Sequence, residues 1–411
     1  MTTSEIECRN CGDRRLIPFL SLGKTPLADA LVAPDADFAL EERFPLDVAF
    51  CESCTQVQIL EEVSAEKMFV DNYLYFSSFS DDVARHSREN ALRLIGERRL
   101  GADSLVVEIA SNDGYLLKNF VEAGIPVLGV DPAPDQARTA NERGVTTIAR
   151  FFGTELAAEL VADGKRADVI IANNVMAHVP GLNDVMAGIA MLLHDDGIVS
   201  IENPYVRDLV DHGEFDTIYH EHLLYHSCSS IQALANRHGL FLNHVENFPK
   251  LHGGTLRWML SREDWKSAAA TAFLESEVAS GLSTIGYYRD FAEKVETIRR
   301  DLRTLLEGLR AEGRTIAAYG AAAKGATLVN CCGLGTDLVE FVVDRNVHKH
   351  GKLMPGTHQP ILGPEALLER RPDYVLLLAW NFKDEIVAQQ REYLAGGGRF
   401  IVPVPTPEVL S

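Results

Sequence analysis

No stretch of this chain approaches the roughly 20 consecutive apolar residues that a membrane-spanning helix needs. The segment MTTSEIECRNCG also lacks the apolar core of a secretory signal, so a cytoplasmic protein is expected. Positive charge is scarce: 39 Lys and Arg face 59 Asp and Glu, a formal net charge of -20. A surface this acidic repels nucleic acid and anionic membranes, which removes both from the expected partners. No protein partner is implied. Seven cysteines, an odd number in 411 residues, do not suggest a disulfide framework. The glycine-rich dinucleotide fingerprint and the H-E-x-x-H pattern are both missing.

What is present is ordinary globular composition, 46% hydrophobic and 24% charged, with length for two or three domains. Four cysteines form two C-x-x-C pairs, Cys8 with Cys11 and Cys51 with Cys54. Two such turns place four thiolates around one ion, which suits structural Zn2+ and leaves no open position for catalysis. Cys228, Cys331 and Cys332 stand among apolar or small residues and read as packing residues.

After about residue 65 an aromatic connector, VDNYLYFSSFSDD, leads into an amphipathic helix over about 83–98. Strands and helices then alternate: SLVVEIA, PVLGVD, ADVIIANN and GIVSIEN are buried strands separated by helical stretches. This alternation predicts a parallel, doubly wound α/β sheet, and GLFLNHVENFP with GGTLRWMLS predicts a hairpin on its antiparallel edge. Residues 267–311 read as a long, solvated connecting helix. Alternation restarts with TIAAYG and runs through LVEFVVD, YVLLLAW and RFIVPV, a second and smaller α/β unit without sequence repeat to the first. The expected division is 1–65, 66–266 and 267–411.

The strand–turn–helix VVEIASNDGYLL carries Glu108, Ala110, Asn112, Gly114, Tyr115 and Leu116. With one glycine and an acidic strand end, it suits a cation such as an amino group or sulfonium better than a pyrophosphate. Asp131, followed by Pro132, ends the next strand, where a carboxylate can accept both ribose hydroxyls. Asn173 and Asn174 end a later strand on the same carboxyl edge. Together these point to S-adenosylmethionine rather than NAD; an ordinary helix cap at Asn112 or Asp113 is compatible with that reading.

The stretch TIYHEHLLYHS packs Tyr219, His220, Glu221, His222, Tyr225 and His226 together. It can hold a metal, move a proton or be a polar turn. Leu224 stands where a zincin closes with histidine, so an acid/base cluster is the favoured reading. His222 and His226 share a face if the stretch is helical. Scattered cations mark candidate anion sites: Lys250, His252 and Arg257 around Gly253 and Gly254, Lys324 in AAYGAAAKG, and Lys349, His350 and Lys352.

As an ordered set, the paired C-x-x-C, EIASNDGYLL, IYHEHLLYHS, HGGTLR, YGAAAKG and LLLAWNF resemble the zinc-containing, S-adenosylmethionine-dependent sugar C-methyltransferases. That family acts on nucleotide-linked deoxy-ketosugars, as in mycarose, kijanose and tetronitrose. The resemblance implies a zinc-binding front domain, a central Rossmann-like methyltransferase domain and a smaller C-terminal α/β Rossmann-like domain. The last two together would hold a nucleotide sugar, usually with thymidine diphosphate as carrier. It implies His222 as catalytic base, Tyr219 and Glu221 as its neighbours, and His178 of AHVP as another active-site histidine. Tyr73 of NYLYFSS is expected to reach the site, with Tyr75 as substrate contact or substitute. His252, Gly253, Arg257, Tyr319, Lys324 and Lys352 are the expected substrate-binding residues. The expected reaction is C-3 methylation of a 4-ketosugar through an enolate. An O- or N-methyltransferase and a non-catalytic nucleotide-binding scaffold are the rival readings.

Overall fold

The structure is a computed structural model that describes residues 6–64, 78, 81–249, 251 and 254–410. Three sheets organise it. In the front sheet, β1 (Leu16–Thr25), β2 (Phe44–Cys51) and β3 (Val57–Ile59) form an antiparallel meander. Leu46, Val48 and Phe50 of β2 are buried on one face, and Ala49 and Cys51 on the other, so the strand is covered on both sides where it enters the cysteine turn.

The central sheet holds β4 (Val106–Ile109), β5 (Val127–Val130), β6 (Thr147–Ile148), β7 (Ala167–Asn173) and β8 (Leu193–Pro204), all parallel. Helices cover both faces, so β4 and β7 are apolar runs rather than alternating ones. β9 (Leu224–Tyr225) leaves this unit and pairs with β3, extending the front sheet to the order β1-β2-β3-β9. β10 (Phe241–Phe248) and β11 (Thr255–Ser261) form the expected hairpin. β11 inserts between β8 and β10 and alone runs against the other strands, giving the order β10-β11-β8-β7-β4-β5-β6.

The expected continuous helix over 267–311 is instead two helices, Ala268–Ser280 and Ile285–Ala311. Gly281, at φ +80°, terminates the first in the left-handed region. Nor is the second merely solvated. Tyr288, Phe291, Val295, Ile298, Leu302, Leu306 and Leu309 make a buried stripe at spacings of three and four. Tyr288 sits 5.2 Å from Phe19 and 5.0 Å from Phe50 between ring centres, so this helix braces the front sheet.

The C-terminal sheet holds β12 (Ile316–Tyr319), β13 (Val342–Val343), β14 (Ile361–Leu362), β15 (Tyr374–Leu377), β16 (Arg399–Val402) and β17 (Glu408–Val409), in the order β14-β13-β12-β15-β16-β17. Only β17 is antiparallel. In both α/β sheets one strand, β4 or β12, has successors on both sides, and its carboxyl end opens a crevice at the switch point. The front unit also touches the C-terminal one. Glu41 accepts from the Gly356 amide at 2.6 Å, and Phe38 stacks on His358 at 4.0 Å.

Candidate active site

The four front cysteines converge. Their sulfurs lie within 4.8 Å of one another, with Cys8–Cys54 and Cys11–Cys51 each at 3.6 Å. A tetrahedral ion with Zn–S bonds of about 2.3 Å asks for sulfurs about 3.8 Å apart. The geometry and the all-thiol donor set fit structural Zn2+, with the ligands held by the β2–β3 hairpin and the turn before β1.

That knuckle is wired to the catalytic region. Asn10 donates to the Ser230 carbonyl at 3.0 Å, and Gln56 donates to the Tyr225 carbonyl at 2.9 Å. Asn183 donates to the carbonyls of Arg9 and Asn10, each at 2.8 Å.

At the carboxyl end of β4 the chain passes through three left-handed residues at alternate positions: Ala110 (φ 56°), Asn112 (φ 50°) and Gly114 (φ 77°). The turn therefore adopts a glycine-type path with a single glycine. Glu108 is 1% exposed, and neither carboxylate oxygen has a partner among the described residues. Burial, then the charges of Asp131 and Asp113, holds its pKa well above the ordinary carboxylate range. An orphaned buried carboxylate beside such a turn fits a cofactor bearing hydroxyls and positive charge. Asp131 braces the turn, accepting the Asn112 amide at 2.8 Å and the Ala133 amide at 2.9 Å. Pro132 follows it, half-buried. Tyr115, Asn173 and Asn174 line the adjoining cleft with His86 and Glu202. Leu116 is fully buried in the core with Leu94 and Phe120. Its side chain packs in that core directly after Tyr115 of the cleft.

The Tyr-His-Glu-His stretch is not helical. A 3-10 turn, Phe215–Thr217, leads through a tight turn into β9, and Ser227 then caps the next helix. His222 and His226 therefore share no helix face, and the histidines diverge. His220 donates to the Pro45 carbonyl at 3.0 Å and docks the front unit. His226, 1% exposed, donates to the Met176 carbonyl at 3.1 Å. His222 turns the other way. Its Nδ1 faces the Thr217 carbonyl at 2.9 Å, so that nitrogen carries the proton. Its Nε2 then accepts from the Tyr219 hydroxyl at 3.0 Å.

His178 completes the group. Its ring lies 4.9 Å from His222, and its Nδ1 donates to the Glu221 carbonyl at 2.6 Å. Burial, then His178, lowers the His222 pKa to about 3, so the imidazole is neutral. Burial, then the charge of Asp29, raises the Glu221 carboxyl to about 7. His178 follows Asn174 by four residues on the loop after β7, which ties the histidine pair to the carboxyl edge of the central sheet.

The C-terminal unit faces the same turn. Trp380, at the carboxyl end of β15, donates through Nε1 to Asp216 Oδ2 at 2.6 Å. Lys324, at the start of the helix Ala323–Cys331, lies 4.0 Å over the Trp380 ring and donates to Asn381 at 3.0 Å. Tyr319 ends β12, buried.

The expected substrate residue Arg257 has partners within the fold. Arg257 is 3% exposed on its side chain and committed to Glu202 at 2.7 Å and Glu246 at 2.7 Å. It is the centre of a buried ion network that also takes in His86, 3.0 Å from Glu202. The Lys349 ammonium meets the YGAAAKG turn, donating to the Ala321 carbonyl at 2.7 Å. Tyr73, Tyr75, His252 and Gly253 lie outside the described residues. Sequence reasoning missed His86, Glu202, Asp216 and Trp380. Only Trp380 carried a signal, through its place in LLLAWNF.

Three family descriptions match successive parts of the chain: "Putative zinc binding domain" over residues 8–69, "Methyltransferase domain" over 82–245 and "C-methyltransferase C-terminal domain" over 250–405. The C-methyltransferase NovU of Streptomyces niveus is 38% identical over 408 residues, covering 98% of this chain and 97% of NovU. Among solved structures, the magnesium protoporphyrin IX methyltransferase of Synechocystis PCC 6803 shares 15% identity at a TM-score of 0.35, covering 48% of this chain and 89% of that one. The match to NovU along nearly the whole length, with the family domains in the same order, places this chain in the family of S-adenosylmethionine-dependent C-methyltransferases with a zinc-binding front domain.

Proposed function

We propose that the chain methylates a carbon next to the ketone of a nucleotide-linked 4-keto-deoxysugar, at C-3, with thymidine diphosphate as the carrier. The observation that carries this reading is the neutral His222, its Nδ1 proton fixed on Thr217 and its Nε2 directed at the Tyr219 hydroxyl. An O- or N-methyl acceptor already has a lone pair; a carbon acceptor needs a base to create one.

The ketone acidifies the neighbouring C–H. His222 Nε2 takes the proton, and the bonding pair moves onto the ketone oxygen as an enolate. Once Nε2 is protonated it no longer accepts from Tyr219, whose hydroxyl is then the donor to that oxygen; His178, its proton on Nδ1 and given to the Glu221 carbonyl, orients the group. A positioned base contributes roughly 10²–10⁴-fold, so donor placement and alignment supply the rest. S-adenosylmethionine supplies an electrophilic methyl group; the new C–C bond forms as the S–CH3 bond breaks, leaving the neutral thioether. Glu108, Asp131, Asn173 and Asn174 would hold that donor on the carboxyl edge. Lys324 and Tyr319, with Lys349 now added, would meet the nucleotide. The zinc takes no part in the chemistry. The division of the chain near residues 65 and 266 is proposed with this reading; β11 marks the central unit's far end.

The test is incubation of the enzyme with S-adenosylmethionine and a panel of thymidine diphosphate 4-ketosugars, followed by mass and NMR analysis. A product heavier by one methylene, with the methyl on C-3, is expected. A methyl on C-5, the other carbon the ketone acidifies, keeps the chemistry and corrects the position. A methyl on oxygen or nitrogen rejects the enolate, and tight binding without turnover selects the scaffold reading.

A further inference from the structure

The carbonyl that orients the proposed base belongs to Thr217, and the residue before it, Asp216, is fastened to the other α/β unit. Asp216 is fully buried. Its Oδ2 accepts the Trp380 indole N–H at 2.6 Å, a short bond across the two units. The turn itself is stiff. Thr217 donates through both its amide (3.1 Å) and its hydroxyl (2.7 Å) to the Glu214 carbonyl, and Phe215 is fully buried beneath it. Movement of the Asp216 carboxylate therefore carries the Thr217 carbonyl with it. On the far side, the Trp380 ring supports the Lys324 ammonium at 4.0 Å, and the next residue, Asn381, accepts from that ammonium at 3.0 Å.

We propose that Trp380 and Asp216 are positioning residues that couple occupancy of the C-terminal nucleotide site at Lys324 to the orientation of His222. The chain of contacts is continuous: Lys324, the Trp380 ring, the Trp380 N–H, the Asp216 carboxylate, the Thr217 carbonyl, the His222 Nδ1 proton. Each link is a hydrogen bond, a ring contact or a peptide unit. The inference rests on the reading of His222 as base. It assigns to a structural indole the task of aligning that base only when the nucleotide end of the substrate is seated.

The experiment labels the histidines with 15N in the full chain and identifies His222 by its absence in the His222→Asn variant. Thymidine diphosphate, the nucleotide without its sugar, is the probe. In the unsubstituted enzyme the probe should shift the His222 nitrogen resonances. Trp380→Phe, which keeps an aromatic face under Lys324 but removes the donor, should abolish that shift. It should lower kcat for solvent exchange of the sugar proton about tenfold while KM and thymidine diphosphate affinity stay within about threefold. Asp216→Asn, which keeps an acceptor for the indole N–H, should retain most of the shift and rate. A shift that survives in Trp380→Phe, or a loss confined to KM, overturns the coupling. Normal exchange in His222→Asn defeats the base reading itself, whatever Trp380 does. If Trp380→Phe fails to fold, Asp216→Ala tests the same bond from the other side.

Discussion

Asp131 and Asp344 occupy the same place in two different sheets. Asp131 follows β5 and accepts the Asn112 amide on Oδ2 (2.8 Å) and the Ala133 amide on Oδ1 (2.9 Å). Asp344 follows β13 and accepts the Ala321 amide on Oδ2 (2.7 Å) and the Asn346 amide on Oδ1 (2.8 Å). In each case the carboxylate braces the turn leaving the neighbouring switch-point strand. Removing either leaves two amides unpaired, each costing about 1–3 kcal/mol where buried. Asp131→Ala should weaken S-adenosylmethionine binding at least tenfold by calorimetry, and Asp344→Ala should do the same to thymidine diphosphate. Crossed or equal effects would reject the assignment of one ligand to each sheet.

The cofactor turn makes opposite forecasts at two of its left-handed positions. Gly114→Ala places a methyl at φ +77° and 2.9 Å from Val145 Cγ2, backbone strain and overlap together. We expect a loss of about 2 kcal/mol or more. Ala110→Gly relieves a non-glycine residue at φ +56°; stability should hold or rise by up to about 1 kcal/mol. Denaturant midpoints decide, and destabilisation by Ala110→Gly would show the turn to be unstrained.

Zinc loss should be felt at the proposed base, His222. The metal knuckle holds Asn10 and Gln56, which bond to Ser230 and Tyr225, and β3 pairs with β9 two residues beyond His222. Metal analysis should find about one zinc per chain. Chelation, or Cys8→Ser, should raise amide exchange at Leu224 and Tyr225 first. Unchanged exchange there alongside complete zinc loss would refute the coupling.

Arg257 should behave as a structural cation. Arg257→Met leaves the 2% exposed Glu202 side chain facing only His86, a broken buried network worth about 3–5 kcal/mol. The variant should unfold at lower urea with KM for the ketosugar little changed where it stays folded. A raised KM at unchanged stability would return Arg257 to the substrate site.

The buried histidines and carboxyls give stability opposite pH dependences. His222 (about 3) and His226 (about 4) sit below the 6.5 of free imidazole, so the unfolded chain binds protons the folded one refuses. Their contribution is whole above about 6.5 and is lost as pH falls towards 4 and 3. Glu214 and Glu221, both raised to about 7, act the other way: their contribution is whole below about 4.5 and is lost as pH rises through 7. Between about 4.5 and 6.5 these two slopes oppose; below about 4.5 the slope of Glu214 and Glu221 has ended and that of the two histidines continues. His226→Gln, which keeps a donor for the Met176 carbonyl, should flatten part of the acid limb in urea titrations from pH 3.5 to 8. An unaltered limb would place His226 in a solvated site.

Local chemistry in the sequence was enough for the zinc knuckle, the succession of two α/β units and the carboxyl-edge positions of Glu108, Asp131 and Asn174. Thiol spacing, apolar runs and strand-end acids each act over a few residues, and each leaves a pattern in the chain. The sequence also singled out the stretch around His222. It did not separate three histidines that differ only in which carbonyl each one faces: Pro45 and Met176 come from distant segments, and Thr217 is brought round by a turn within the stretch itself. The Asp131–Asp344 parallel was hidden because it is made by backbone amides, which every residue carries. Arg257 read as an anion binder because it stands with Lys250 and His252 around a glycine pair in an acidic chain; the fold places two carboxylates against it. The helix Ile285–Ala311 read as solvated because its charged face dominates its composition, while its buried stripe needs a partner from β1, more than 260 residues earlier, to have any meaning. Covalent neighbours determine which elements form. Long-range packing alone determines which polar groups each element spends on the fold and which it leaves for chemistry.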